Sequence, residues 1–183
     1  MKLDLSFWTN ASSKRKRIYT IIIIFILAFI VTVIGSYIPL SHQDSESISN
    51  SLNATLNSHK SNGTLTEYIF INNFSICLLM FIPIIGPIIG FVILGDTGIA
   101  LGAISSVQGY PVWIILISEL ITPVFWLEFI AYSTAISASI WLTRRLLQWR
   151  LRELKNTAIQ IGICAAILFV SAIIEVLLIN AGI

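Results

Sequence analysis

An uncharged apolar run from Ile18 to Ile38 constrains this chain more than any other feature. The run is as long as the roughly twenty residues that a helix needs to cross a bilayer. The basic sequence Lys14-Arg15-Lys16-Arg17 directly precedes it. A signal peptide has a shorter apolar core and a small-residue cleavage site, and Gly35-Ser36-Tyr37 does not fit such a site. The run therefore predicts an uncleaved spanning helix whose basic end stays in the cytoplasm.

The composition also indicates a membrane protein. Of the 183 residues, 56% are hydrophobic and 11% are charged, whereas about a quarter of a soluble domain is charged. A chain this apolar needs lipid as part of its solvent, and its length suits one bundle of about four to six spans. The net charge of +2 gives no indication of nucleic-acid binding. We therefore expect membrane lipids as partners and no nucleic acid.

A polar segment follows the first span. Residues 41–67 are rich in Ser, Asn and His, and they predict an external loop that contains a short helix near Ile48–Leu56. Two N-glycosylation acceptor patterns begin at Asn53 and Asn62. Because the segment is expected on the outer side of the membrane, these two asparagines are candidate glycosylation sites.

The second span is predicted over Tyr68–Leu94 and contains Pro83 and Pro87 near its middle. Proline removes a helix hydrogen bond and clashes with the preceding turn, so this span should kink or break at membrane depth. The favoured interpretation is a packing kink, with another helix approaching closely at Gly86 and Gly90. The alternative is an ion or substrate site at the ends of a broken helix.

Further helical elements are predicted after this break. They are short helices near Gly98–Val107 and Val112–Ile121, a full span over Pro123–Thr143, and a last span over Ala158–Leu178. Proline suits the first turn of a helix, so Pro123 should begin its span.

The charges predict the topology. Basic loops face the cytoplasm, and a second basic segment, Arg144–Lys155, follows the Pro123–Thr143 span. If Gly98–Ile121 counts as one broken crossing, both basic segments lie inside. The prediction is then an all-α polytopic membrane protein of about five transmembrane helices with a broken second span. Residues 1–17 would be cytoplasmic, residues 18–183 one transmembrane domain, and the C-terminus extracytoplasmic.

The second basic segment, Arg144–Lys155, is interpreted as an interfacial loop, with a docking helix for a partner as the alternative.

Three glutamates lie in or near the predicted spans: Glu119, Glu128 and Glu175. A charged side chain at the bilayer centre costs about 2.5–3.5 kcal/mol on insertion scales. Glu119 and Glu128 are nine residues apart, which places them on opposite faces of a continuous helix at about 100° per residue. They are therefore not predicted to form a paired-carboxylate site on one helix. The predicted interhelical hydrogen-bonding residues are Asn72, Asn73, Glu128 and Tyr132, with proton or cation passage as the alternative role.

The other chemistry-bearing residues give no indication of catalysis. Asp96 is predicted to cap a helix at the membrane face, because Asp accepts hydrogen bonds from free backbone donors. Cys77 and Cys164 are interpreted as buried thiols, with a disulfide between helices as the alternative. His42 and His59 lie in the polar segment without a cluster of further ligands. We expect no metal, no cofactor and no catalytic residue, so the protein is not expected to be an enzyme.

Two short motifs stand in a definite order along the chain. The pair Asn72-Asn73 opens the second predicted span. A Thr-Gly-x-x-Leu-Gly element then runs from Thr97 through Gly98 to Gly102. A third motif begins further along the chain, at Pro123.

The third motif begins at Pro123, with Glu128 and Ala131 at fixed spacings behind it. Together the three motifs resemble those of the stage II sporulation protein M family, including its archaeal members. That family has Pro-His-Gly-x-x-Glu-x-x-Ala here, so Val124 and Phe125 replace its His and Gly. No role that rests on this His is carried over.

The resemblance covers residues 72–142, and within it the family has Asn where this chain has Thr97. It implies a multi-helix membrane protein. The family's bacterial namesake anchors cell-wall hydrolases during engulfment, and archaea lack that wall chemistry, so the resemblance implies a scaffold more than a defined reaction. We expect a non-catalytic scaffold or accessory subunit of the cell membrane, with partner proteins or further copies of itself. The alternative is a small transporter or channel that uses the broken second span and Glu128.

Overall fold

The computed structural model describes residues 12–148 and 152–182, and all of the regular structure there is helical. The described helices are α1 (Ser13–Ser36), α2 (His42–Ser61), α3 (Leu65–Met80), α4 (Gly86–Gln108), α5 (Val112–Ile121), α6 (Pro123–Leu146) and α7 (Arg152–Ala181). The predicted all-α class is confirmed. Most of the predicted cytoplasmic segment 1–17 and residues 149–151 of the second basic segment lie outside the described residues.

Four of these helices, α1, α4, α6 and α7, are long and apolar enough to cross a membrane. Helices α3 and α5 are apolar but shorter, with 16 and 10 residues. At about 1.5 Å per residue, α3 extends over roughly 24 Å, somewhat less than the hydrocarbon core of about 30 Å. The fold is therefore that of a multi-pass membrane protein, and five crossings result if α3 is counted as a span.

Contacts between the helices define their relative directions. Helices α1, α4 and α7 run one way, while α3 and α6 run the other way. The described part of the chain therefore begins and finishes at opposite ends of the bundle. The contact pairs are Thr32–Leu94 and Ser36–Gly102 for α1 with α4, Arg17–Trp141 and Phe29–Phe125 for α1 with α6, Asn73–Glu128 and Cys77–Ala131 for α3 with α6, and Ile69–Ala172 and Cys77–Cys164 for α3 with α7.

The short helix predicted near Ile48–Leu56 is longer than expected, because the helix α2 covers His42–Ser61 and so most of the segment 41–67. Ser41 caps the helix by accepting a hydrogen bond from the backbone N–H of Asp44 at 3.1 Å. Neither Pro nor Gly interrupts residues 42–61, and the helix ends before Gly63, whose φ is +69°. The helix crosses one end of the bundle, called here the α2 end, and packs against α4.

The second predicted span is broken where its prolines lie. Helix α3 ends at Met80, and α4 begins at Gly86 with Pro87 in its first turn. Between them Ile84 adopts a left-handed backbone with a φ of +70°. A Cβ at Gly86 would collide with the carbonyl of Met80, and one at Gly90 would collide with the side chain of Ile136. The two glycines therefore allow the close approach that the sequence predicted.

Hydroxyl groups of α6 satisfy the backbone freed by this break. Ser139 Oγ donates to the carbonyl oxygen of Ile82 at 2.6 Å. The N–H of Ile84 donates to Thr143 Oγ1 at 2.8 Å. Irregular backbone is tolerated at membrane depth only where other protein covers it, and α6 provides that cover.

The separate helix predicted near Gly98–Val107 is wrong, because α4 continues without interruption from Gly86 to Gln108. No proline interrupts residues 88–110, and the helix ends only at Gly109, which has a φ of +72°. Asp96 therefore lies in the middle of α4 and is exposed, so it does not cap a helix. The second predicted span accordingly does not end at Leu94.

The remaining boundaries lie close to the predicted ones. Helix α5 covers Val112–Ile121 as predicted, and α6 begins at Pro123 but extends past Thr143 to Leu146. Helix α7 begins at Arg152, before the predicted Ala158.

Candidate functional site

Glu128 is the central polar group of the site. It lies in the second turn of α6, whose first residue is Pro123 and whose N-cap Thr122 accepts a hydrogen bond from the N–H of Phe125 at 3.5 Å. The carboxylate is half-buried, and its Oε1 accepts a hydrogen bond from Asn73 Nδ2 at 2.5 Å. This bond joins α3 to α6. The sequence predicted both Asn72 and Asn73 as interhelical hydrogen-bonding residues, and Asn73 is the one that donates to Glu128.

Asn72 and Tyr132 take different positions beside this bond. Asn72 is exposed and donates to Asn73 Oδ1 at 3.4 Å, so it extends the network towards the surface of the bundle. Tyr132 is buried and belongs to the hydrophobic core cluster. The network therefore consists of Asn72, Asn73 and Glu128, and Tyr132 packs next to it.

Glu119 shares a cavity with Glu128, although the two were not predicted to form a pair on one helix. They lie on different helices, because α5 ends at Ile121 and α6 starts at Pro123 after an extended Thr122. Both glutamates line a cavity of about 90 Å³. The Thr122-Pro123 sequence was the signal for this change of direction, because the residue before a proline favours extended backbone.

Glu175 of α7 completes a carboxylate cluster, defined as Glu119, Glu128 and Glu175. Its charge interacts with both of the other carboxylates. Like charges in a poorly hydrated region repel each other, so the cluster favours protons, cations or hydrogen-bond donors. Within residues 12–148 and 152–182, no three His, Cys, Asp or Glu side chains are grouped so that they could hold a metal ion.

The motif glycines bring α4 against α1. A Cβ at Gly98 would collide with the carbonyl oxygen of Thr32, and one at Gly102 would collide with that of Ser36. Thr32 Oγ1 also donates to the carbonyl oxygen of Leu94 at 3.0 Å. Small residues at helix contacts allow backbones to approach closely in membranes. Gly98 and Gly102 therefore act through packing, and they position the neighbouring Thr97 on the wall of the cavity.

The core beyond Glu128, away from the α2 end, is closely packed. Met80 and Ile136 are fully buried there. The thiols of Cys77 and Cys164 both contact the carbonyl oxygen of Ala131, at 4.0 and 3.5 Å. Both cysteines are free and buried, in agreement with the favoured interpretation. The fold brings them together although they lie far apart in the sequence.

The two candidate glycosylation sites lie at the α2 end. Asn53 is exposed on α2, and Asn62 is the exposed residue that ends this helix. Their accessibility is compatible with modification, which stays a prediction.

The fold and this arrangement define a helical multi-pass membrane protein whose acidic side chains meet in one half of the bundle. Residues 20–178 match the family described as Stage II sporulation protein M, and the chain belongs to that family. The match extends beyond residues 72–142, on which the resemblance rested, and includes most of α1 and most of α7. No curated protein and no solved structure matches the chain.

Proposed function

We propose that this protein is a non-catalytic integral membrane scaffold or accessory subunit that organises partner proteins at the membrane. The observation that carries the proposal is that the polar network of Glu128 has no continuation through the bundle. Between the depths of Glu128 and Trp141, the described stretches 74–80 of α3, 86–95 of α4 and 129–141 of α6 contain no acidic or basic side chain. Fully buried side chains occupy that part of the core, and they are apolar ones such as Met80 and Ile136 together with the small hydroxyl side chains of α6.

The broken second span also favours a structural role. Transporters use unwound helix ends to coordinate ions through backbone carbonyls. Here the carbonyl of Ile82 accepts from Ser139, and the N–H of Ile84 donates to Thr143. These groups are engaged within the protein, so the break stabilises packing between α3, α4 and α6.

An exposed carboxylate on α4 supports the proposal that a partner protein binds there. Asp96 lies in the middle of α4, a helix of spanning length, and is exposed on the surface of the bundle. A charge facing lipid costs about 2.5–3.5 kcal/mol at the bilayer centre. A hydrogen-bond donor or a basic side chain on a partner helix would remove that cost.

The carboxylate cluster favours one alternative, a small transporter or channel for protons or cations. In that case the carboxylate of Glu128 would bind and release the transported ion. Replacing Glu128 by Gln would then abolish transport while the fold stayed intact, because Gln is nearly the same size and keeps an acceptor oxygen.

Two measurements on the full chain separate these functions. We expect liposomes containing the purified protein to show no proton or cation flux above that of empty liposomes. We expect purification in mild detergent to retain partner proteins in stoichiometric amounts, and Asp96→Leu to reduce them. Asp44→Leu, which removes an exposed acid from α2, is the matched control. Flux that Glu128→Gln abolishes would instead establish the transporter.

A further inference from the structure

A groove of about 260 Å³ lies between α1 and α6 at the end of the bundle opposite α2. Thr20, Ile23, Ile140, Trp141 and Arg144 line it, and its surface is almost wholly apolar. The side chains of Ile23 and Ile140 are about half exposed, at 50% and 42%. Because both helices are long enough to span a membrane, the floor of the groove faces the lipid chains.

Two guanidinium groups lie at the mouth of this groove on one aromatic ring. Arg17 Cζ is 5.3 Å and Arg144 Cζ is 5.7 Å from the centre of the Trp141 ring. Cation–π contacts of this length hold arginines over an indole. None of the residues that line the groove is acidic, and the guanidinium groups of Arg17 and Arg144 lie next to its apolar floor.

The indole of Trp141 provides a third, independent observation. Its side chain is buried, with 7% of its surface exposed. Nevertheless, its Nε1–H has no hydrogen-bond acceptor in the described part of the chain. A buried indole N–H normally has an acceptor. The indole beside the groove therefore carries an enclosed, unsatisfied donor, and both guanidinium groups lie against its ring.

We propose that this groove binds an anionic phospholipid. The headgroup phosphate lies between Arg17 and Arg144, a phosphate or ester oxygen accepts from Trp141 Nε1, and an acyl chain covers Ile23 and Ile140. Basic pockets between helices near a membrane surface bind anionic lipid headgroups, and arginine binds phosphate oxygens in a fork geometry. The apolar floor requires a lipid and not free phosphate. The proposal is independent of the scaffold function.

Lipid titrations of the full-length protein in neutral detergent test this proposal. Phosphatidylglycerol, phosphatidylcholine with the same acyl chains, and inorganic phosphate are added separately, and bound lipid is counted by native mass spectrometry. We expect phosphatidylglycerol to bind more tightly than phosphatidylcholine. Arg17→Gln with Arg144→Gln should weaken its binding about 25-fold, at about fivefold for each basic residue near a membrane surface.

The matched control is Arg15→Gln with Lys155→Gln, which removes the same charge from exposed positions outside the groove. It should bind phosphatidylglycerol as the unchanged protein does. An equal loss in the control, equal binding of phosphatidylcholine, or competition by inorganic phosphate would overturn the proposal.

Trp141→Phe tests the hydrogen bond separately, since it keeps an aromatic ring in the core but removes the N–H. If the arginine variants fail to fold, this variant still tests whether the groove binds phosphatidylglycerol. Weaker phosphatidylglycerol binding with an unchanged melting temperature supports the proposal. Unchanged binding by Trp141→Phe would overturn it.

Discussion

At the scale of single residues, Glu128 combines a stabilising and a destabilising interaction. Its hydrogen bond with Asn73 joins α3 to α6, while Glu119 and Glu175 place like charges near it. Interhelical hydrogen bonds in membranes contribute about 0.6–2 kcal/mol. The carboxylate therefore biases the packing of two helices without deciding whether the protein folds.

Substitutions at Glu128 separate these two interactions. Glu128→Gln should change the melting temperature in detergent only slightly, because Gln keeps an acceptor for Asn73 and lowers the repulsion. Glu128→Leu should melt at a lower temperature than Glu128→Gln, by an amount that corresponds to about 0.6–2 kcal/mol, because the amide of Asn73 loses its acceptor. The exposed Glu67 provides the control, since Glu67→Leu should have little effect. Equal melting temperatures for the two Glu128 variants would contradict the structural role.

At the scale of helices, the interface between α1 and α4 depends on residues without bulky side chains. Gly98 and Gly102 leave room for the backbone of α1, and the hydroxyl of Thr32 bonds across the interface. Because the obstructing atoms are backbone carbonyls, a larger residue cannot be accommodated by a change of rotamer. A residue with a side chain at either position would therefore force the two helices apart.

A pair of glycine substitutions tests this interface. Gly98→Ala should destabilise the protein by about 1–3 kcal/mol, the usual cost of overpacking. Gly162→Ala, in the middle of α7 with no atom near the added Cβ, should leave stability unchanged or raise it slightly, because Ala favours helix. Thermal unfolding in detergent measures both. A Gly98→Ala protein as stable as Gly162→Ala would show that the interface opens without cost.

At the scale of the whole molecule, the antiparallel arrangement of the helices has consequences for topology. If α1 and α3–α7 lie in a membrane with α3 as a crossing, the first and last described residues lie on opposite sides. The α2 end and the Arg144 end then face different compartments. If the basic segments lie inside, we expect the N-terminus and Arg144–Lys155 to be cytoplasmic and α2 and the C-terminus to be extracytoplasmic.

Labelling of single cysteines tests this orientation in a protein whose Cys77 and Cys164 are replaced by Ala. A membrane-impermeant thiol reagent added to intact cells should modify Ser51→Cys on α2 but not Gln148→Cys after α6. Both positions are exposed, so accessibility to the reagent depends only on the side of the membrane. Permeabilised cells provide the control, in which both should react. Modification of Gln148→Cys in intact cells would reverse the proposed orientation.

Local sequence was enough to predict the apolar helical segments, the break in the second span and the start of α6. Long uncharged runs, prolines and capping residues act over a few neighbouring positions, so their effects are readable along the chain. Because α2 is polar, its helix was predicted to be much shorter than it is. The sequence Asp96-Thr97-Gly98 led to the prediction of a helix boundary inside α4. In both places the absence of proline was the better guide.

The tertiary structure alone decided which polar groups meet. Glu119 and Glu128 share a cavity only because the chain turns between α5 and α6. Cys77 and Cys164 meet at one carbonyl, and Arg17 and Arg144 meet on the ring of Trp141, because antiparallel packing brings distant segments to the same depth. Such encounters depend on helix directions and close packing across the bundle, and the spacing of residues along one helix carries no information about them.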